Sequence, residues 1–210
     1  MGKIYRCDNT INTQTAVLKC AEALNSGGLA VFPTETVYGI GVDAYNEKAI
    51  ISLYEKKQRP YDKPLLMHIS SLEMAEEIGI LDDTARELIR RFTPGPLTLV
   101  VKAKKAIPSV ALAGGDTVGL RFPSNEIFLQ ISKAFGKPIA ATSANISGEQ
   151  STARAEELKS ITDVADLIID GGECELGLES TIVSLVGEAP KILRQGSFPK
   201  ERLSEVVECD

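Results

Sequence analysis

Between residues 65 and 141 short apolar runs and amphipathic stretches alternate too closely for an all-helical or an all-β chain. The spacing predicts a strand at 65–69, helices at 72–77 and 83–92, strands at 97–102 and 117–122, a helix at 126–135 and a strand at 138–141. Adjacent strands with no helix between them cannot all be joined by parallel crossovers. The prediction is therefore an α/β fold on a twisted, mixed parallel and antiparallel sheet with flanking helices. The same alternation starts upstream. A helix over 13–24 is expected to face the core with Val17, Leu18, Ala21 and Leu24, and to stop at Gly27 and Gly28. A buried strand at 29–32 ends at Pro33. A helix follows from Asn46, its N-cap, through Ala49, Ile50, Leu53 and Tyr54 to about Lys57, and Pro60 prevents its continuation. Downstream, a loop at 142–151 precedes a helix at 153–159, strands at 167–169, 181–185 and 191–193, and a short helix near Arg202.

The 210 residues fit one domain, residues 1–210, with one core, and 43% hydrophobic with 25% charged residues is ordinary for a globular chain. A net charge of −6 argues against a protein whose main work is coating nucleic acid. Weak RNA binding at a local basic groove stays open. Cys7, Cys20, Cys174 and Cys209 are scattered and there is one histidine, so no zinc ligand set exists and no protein-held metal is expected. The N-terminus lacks the apolar core of a signal peptide, and no apolar run approaches the roughly 20 residues of a membrane span. A cytoplasmic location with reduced thiols and no membrane partner is expected.

GxxxxGK[ST], GxGxxG, GxSxG and HExxH are all absent. Polar residues gather instead at strand ends. In PTETVYGIG the hydroxyls of Thr34 and Thr36 and the phenol of Tyr38 offer neutral donors and acceptors. Lys57 and Arg59 read in two ways. They complement the negative pole of the preceding helix, or, two apart in an extended stretch, they grip anionic oxygens from one side. His68, on one strand face with Leu66, reads as a core residue or as a site residue. TSANISG reads as a turn or as Ser143 and Asn145 presented at the carboxyl end of a strand, where open sheets place ligands. Arg121 in GLRFP requires a carboxylate partner from protein or ligand if buried. Glu179, Ser180 and Thr181 in ESTIV and Arg194 in ILRQG repeat the theme, so several strand ends are expected to converge on one polar cavity. The acidic residues 73–77 with Asp82, Asp83 and Glu87 read as solvated helix faces.

Taken together, PTETVYGIG, KQRP with KPLLMHI, TSANISG, ESTIV and ILRQG resemble the L-threonylcarbamoyladenylate synthase family, built on the YrdC-like domain. The resemblance runs from about residue 12 to 200. It implies a mixed sheet around a deep, positively lined central cavity and a nucleotidyltransferase reaction. L-threonine, bicarbonate and ATP with Mg2+ give threonylcarbamoyl-AMP and pyrophosphate, for threonylcarbamoyladenosine formation in tRNA by downstream transfer proteins. Position by position, Lys57 and Arg59 resemble the catalytic KxR pair. Ser143, Asn145, Thr117, Ser151 and Arg194 are similar to its further ATP contacts. Thr34, His68, Arg121 and Ser180, with Thr36 and Tyr38 close by, resemble the threonine pocket, Arg121 being expected to pair with the substrate carboxylate. The chain is similar to the single-domain form. Two other classes remain: a carbamoyl-adenylate-forming carbamoyltransferase, whose larger relatives carry zinc-finger and acylphosphatase regions with no counterpart here, and a non-catalytic RNA-binding module, against which 5% aromatic content counts.

Overall fold

The computed structural model describes residues 2–158 and 161–208. The strands are β1 (Lys3–Arg6), β2 (Ala30–Phe32), β3 (Gly39–Asp43), β4 (Leu66–His68), β5 (Gly79–Ile80), β6 (Leu97–Ala103), β7 (Thr117–Arg121), β8 (Ile139–Ser143), β9 (Leu167–Asp170), β10 (Thr181–Ser184) and β11 (Lys191–Arg194). The helices are α1 (Thr10–Asn25), α2 (Glu47–Lys56), α3 (Leu72–Ile78), α4 (Asp83–Phe92), α5 (Glu126–Phe135), α6 (Ile161–Val164) and α7 (Lys200–Leu203). The strands form one sheet in the order β1-β9-β2-β3-β8-β4-β7-β6-β10-β11, with β5 on β6. Parallel pairs (β1/β9, β2/β9, β4/β7, β6/β10) mix with antiparallel ones, which is the expected fold class.

The single core expected from the sequence is divided by the sheet into two. Strand side chains alternate between faces. Ala30, Phe32, Ile139, Ala141, Leu167 and Ile169 therefore pack under α1 and α5, while Val31, Ile40, Val42, Met67, Ala140 and Ile168 join the larger cluster with residues of α2, α3 and α4. Asn9 caps α1 by accepting from Asn12 N, so the helix starts at Thr10, three residues before the expected start, and Leu18 is exposed rather than in the core face. The reason is the helical period: Ala16, Val17, Cys20, Ala21 and Leu24 already fill the stripe that meets the sheet.

The sequence reading missed three strands. β3 carries Gly39 and Gly41 on the face toward α1 and α5, so no alternating apolar pattern marks it; a Cβ on Gly41 would come within 2.6 Å of Ile139 Cγ2. β1 is a half-exposed edge strand tied to β9 by an Arg6–Asp170 contact of 3.5 Å, and β5 is two residues long. Over 153–159 there is a 3-10 turn at Ala155–Glu157 instead of a helix, because Arg154 N donates to Thr152 Oγ1 and that hydroxyl donates to Glu157 in a local turn; Lys159 lies outside the described residues. β8 runs on through Ser143, shortening the expected loop. The KQR segment is curled, not extended: Lys57 ends α2, Gln58 has φ +53°, and Arg59 N donates back to Tyr54 O at 2.9 Å. Cys7, Cys20 and Cys174 are free thiols and Cys209 lies outside the described residues. Among the described residues no helix is long and apolar enough to cross a membrane.

The segment after β11 is fixed by contacts with the start of β10. Thr181 Oγ1 donates to Phe198 O at 2.7 Å and accepts from Gly196 N and Phe198 N, and Gly196 lies so close that a methyl group there would overlap the backbone of Glu179 and Ser180. Gly196→Ala should therefore destabilise the protein by roughly 1–3 kcal/mol through overpacking against backbone that cannot yield. Chemical denaturation measures it, and an unchanged midpoint would show that the 195–198 segment is not held as described.

Candidate active site

The sheet face that α1 and α5 cover continues beyond Phe32, Phe128 and Ile139 across β4, β7, β6 and β10. Register places Leu66 opposite Gly119 and His68 opposite Arg121, with Gly119 in turn opposite Val100 and Arg121 opposite Thr98, which pairs with Ile182. These residues share one face, and with the exception of Thr98 they floor a cavity of about 410 Å3. Its walls are the 33–38 turn after β2, the 59–64 segment after α2, the end of β8, the residues entering β10 and the end of β11. Of the residues singled out from the sequence, Thr34, Thr36, Tyr38, Arg59, His68, Thr117, Arg121, Ser143, Glu179, Ser180 and Arg194 line this cavity, and Lys57, Asn145 and Ser151 join it through hydrogen bonds that lead to Ser143 and Glu179.

Arg121 has its carboxylate within the protein. Its Nη2 meets Glu35 Oε1 at 2.6 Å, Nη1 donates to Gly95 O, and both side chains are almost fully buried, at 2% and 5% exposure. The other Glu35 oxygen accepts from Ser124 N at 3.2 Å. The carboxylate partner that a buried Arg121 requires, from protein or ligand, is supplied within the protein by Glu35, so a substrate carboxylate is not its only counter-charge. The sequence signal for Glu35 lay in PTET itself, where the acidic residue sits between two threonines already singled out.

Lys57 and Arg59 have separate surroundings. Burial, reinforced by the nearby Arg59 charge, holds the Lys57 ammonium down to about 8, against the pull of Glu179 and Glu149. It donates to Asn145 O and reaches Asn145 Oδ1 at 3.3 Å, and Ser143 Oγ donates to that same Oδ1 at 2.6 Å. Lys57, Asn145 and Ser143 are one hydrogen-bonded chain leading from the α2 terminus to the cavity. Arg59 faces the cavity with Nη1 on Thr142 Oγ1 at 3.2 Å, while Nε and Nη2 hold the carbonyls of Lys63 and Pro64. Ser151 and Arg194 converge on Glu179, which the sequence placed among the strand-end residues of the cavity without naming its partners: its carboxylate accepts from Ser151 Oγ at 2.8 Å and from Arg194 Nη1.

The neutral residues are less available than their chemistry suggested. Tyr38 directs its phenol away from the cavity, donating to Gly172 O at 2.7 Å and accepting from Gly171 N at 3.1 Å, and burial pushes its pKa up. Thr34 donates to Val37 O at 2.7 Å and meets Thr36 Oγ1 at 2.8 Å, so this pair shapes the turn. Ser180 Oγ is 2.8 Å from Thr98 Oγ1. His68 packs edge-on against Phe32 and Phe128, and its Nδ1 is, among the described residues, the one buried side-chain nitrogen or oxygen without a hydrogen-bond partner. Burial first, and the charge of Arg121 second, hold its pKa down to about 3, so the ring is neutral near pH 7.

Removing one partner of a buried ion pair leaves an uncompensated charge, at a cost of about 3–5 kcal/mol. Glu35→Ala should lose stability on that scale and Glu35→Gln, which keeps an acceptor oxygen, clearly less. The double variant Glu35→Met with Arg121→Met should recover much of the loss. Equilibrium unfolding of the set checks this, and additive losses in the double variant would sink it.

The family model Sua5/YciO/YrdC, whose description reads "telomere recombination", matches residues 22–196. The chain is 42% identical to the threonylcarbamoyl-AMP synthase of Pyrococcus abyssi over 88% of its length and 55% of that relative's. It is 37% identical to that of Bacillus subtilis, over 95% of its length and 59% of the relative's. Its backbone superposes on the crystal structure of P. abyssi Sua5 complexed with L-threonine at a TM-score of 0.93 and 38% identity, covering 100% of this chain and 62% of that one. The chain thus spans less than two thirds of the length of these relatives. With the family model matched over residues 22–196 and a relative 42% identical over 88% of this chain, the chain belongs to the Sua5/YciO/YrdC family.

Proposed function

We propose that this chain forms threonylcarbamoyl-AMP and pyrophosphate from L-threonine, bicarbonate and ATP. The observation that carries the reading is that two chemistries open into one cavity: Arg59, Ser143 and Arg194 on one side, and His68, Arg121 and Ser180 on the other. The named relatives and the threonine-bound P. abyssi structure support it. In this reading the product is consumed by proteins that transfer the threonylcarbamoyl group to tRNA, and the compartment is the cytoplasm.

The amine of threonine and bicarbonate condense to a carbamate with loss of water. A carbamate oxygen then attacks the α-phosphorus, forming the mixed anhydride while pyrophosphate leaves. Arg121, already oriented by Glu35, receives the threonine carboxylate. Arg59 and Arg194 oppose the charge on the phosphates, and the chain from Lys57 through Asn145 holds Ser143 in place against the nucleotide. With its pKa near 3, His68 is too weak a base to take a proton from the amine. Magnesium enters as MgATP: among the described residues no cluster of three or more His, Cys, Asp or Glu side chains could cage a metal, and phosphate-bound magnesium takes few protein ligands. Its charge adds to that of the arginines at the phosphates.

Pyrophosphate release from MgATP should require both threonine and bicarbonate. Release with carbamoyl phosphate in their place would move the chain to the carbamoyltransferase class, and no release would leave a binding module, which steep salt dependence of RNA affinity would identify.

The Lys57 ammonium gives a pH signature of two opposite signs. Its folded value of about 8 lies below its usual 10.5, so in that window the unfolded chain holds the proton that the folded one has released. Folding stability should rise from pH 8 to 10.5. ATP affinity should fall over the same range as the positive charge is lost. Titration calorimetry and thermal melting of wild type beside Lys57→Met check both, the variant lacking each trend; a wild-type affinity flat to pH 10 would contradict the assignment.

A further inference from the structure

The nucleotide side of the cavity holds a negative charge where the proposed substrate brings several more. Glu179 is placed between Ser151 and Arg194, both candidate ATP contacts, and its charge acts on Lys57 and Arg59 as well, whereas Asp62, also in the lining, acts on Arg59. A carboxylate fixed at this point would repel a triphosphate. The main chain and the side chain of Glu179 are held differently. The backbone of Glu179 is pinned, its carbonyl accepting from Ser197 N and Ser197 Oγ at 2.9 Å each. The side chain, about a third exposed, is hydrogen-bonded, among the described residues, by Ser151 and Arg194. Arg194 is anchored independently: Nη2 and Nε donate to Ser180 O at 2.9 and 3.2 Å, so its orientation survives without Glu179 and only Nη1 is released.

Resting on the reading above, we propose that the Glu179 carboxylate stands in for a phosphate group in the unliganded cavity, and that nucleotide binding displaces it by side-chain rotation toward solvent. The incoming phosphate then takes over Arg194 Nη1 and the hydroxyl of Ser151. The exchange keeps the cations compensated in both states. It also makes Glu179 a determinant of affinity: every anion that enters must first displace it, which weakens binding of pyrophosphate and so favours its release after the reaction.

The test is calorimetric titration with inorganic pyrophosphate in EDTA at low salt, comparing wild type with Glu179→Gln, which preserves size and hydrogen bonding but removes the charge. Pyrophosphate should bind the variant more tightly by roughly five- to tenfold, the worth of one like charge a few ångströms from the ligand. The gain should shrink in 0.5 M salt, a concentration of roughly the screening strength needed, and should largely vanish in an Arg194→Ala background. Equal or weaker binding by Glu179→Gln at an unchanged melting temperature would overturn the proposal, since the carboxylate would then be an orienting partner of Arg194. Because the readout is binding of an anion and not turnover, a failure of the synthase reading would appear in the pyrophosphate-release assay and leave this result standing on its own.

Discussion

The buried pair of Arg121 and Glu35 is the contact on which the site depends. Arg121 rises from the floor at the end of β7, Glu35 comes from the turn after β2, and β3, β8 and β4 separate the two strands in the sheet. A guanidinium taken out of water needs a counter-charge and its donors filled. Glu35 and the carbonyl of Gly95 meet that need, and in doing so they fix the turn bearing Thr34 and Thr36 against the floor. One electrostatic requirement thus sets the distance between wall and floor, and with it the width of the cavity.

The same logic recurs with less burial elsewhere around the rim. Arg194 is compensated by Glu179, and Lys57 by the carbonyl and side-chain oxygens of Asn145. Each cation has a partner within the protein before any ligand arrives, so the cavity folds without a large unopposed charge. The degree of burial separates their behaviour. A pair as dry as Arg121–Glu35 stays in place and positions the group; a pair with a third of its surface in water, as at Arg194–Glu179, is held weakly enough to exchange.

Much of this was legible in the sequence because the elements that build the floor have strong local signals. The strands at 97–102 and 117–122 and the helices at 83–92 and 126–135 fall within a residue or two of β6, β7, α4 and α5, since each is bounded by capping or turn residues and has a full buried stripe. What was illegible has physical reasons. β3 is glycine on one face because Phe32 and Ile139 fill the space a side chain would need. The KQR segment turns at Gln58, a non-glycine residue with positive φ that no local rule announces. Partnerships across long sequence separation, Glu35 with Arg121 and Glu179 with Ser151, exist only once the sheet is assembled. Sequence reasoning could state that Arg121 needed a carboxylate, but not which one.

The partnerships also decide which kind of catalysis the cavity can support. His68 is the side chain a reader would first assign as a base, yet the aromatic rings of Phe32 and Phe128 and the charge of Arg121 keep it neutral far below physiological pH. A ring that stays neutral this far down in pH is not a proton carrier, and its buried Nδ1 has no partner among the described residues. The phenol of Tyr38 is equally committed, to the 171–172 backbone. With neither group able to move protons, the proposed reaction draws its rate from fixed cations and from holding a carbamate against the α-phosphorus in a cavity whose floor includes the apolar side chains of Leu66, Val100 and Ile182. Carbamates decompose on protonation, so a proton-donating side chain beside the intermediate would hasten its loss. In the proposed reaction, the burial that keeps His68 neutral, with the charge of Arg121 as the lesser cause, removes one such donor from the cavity.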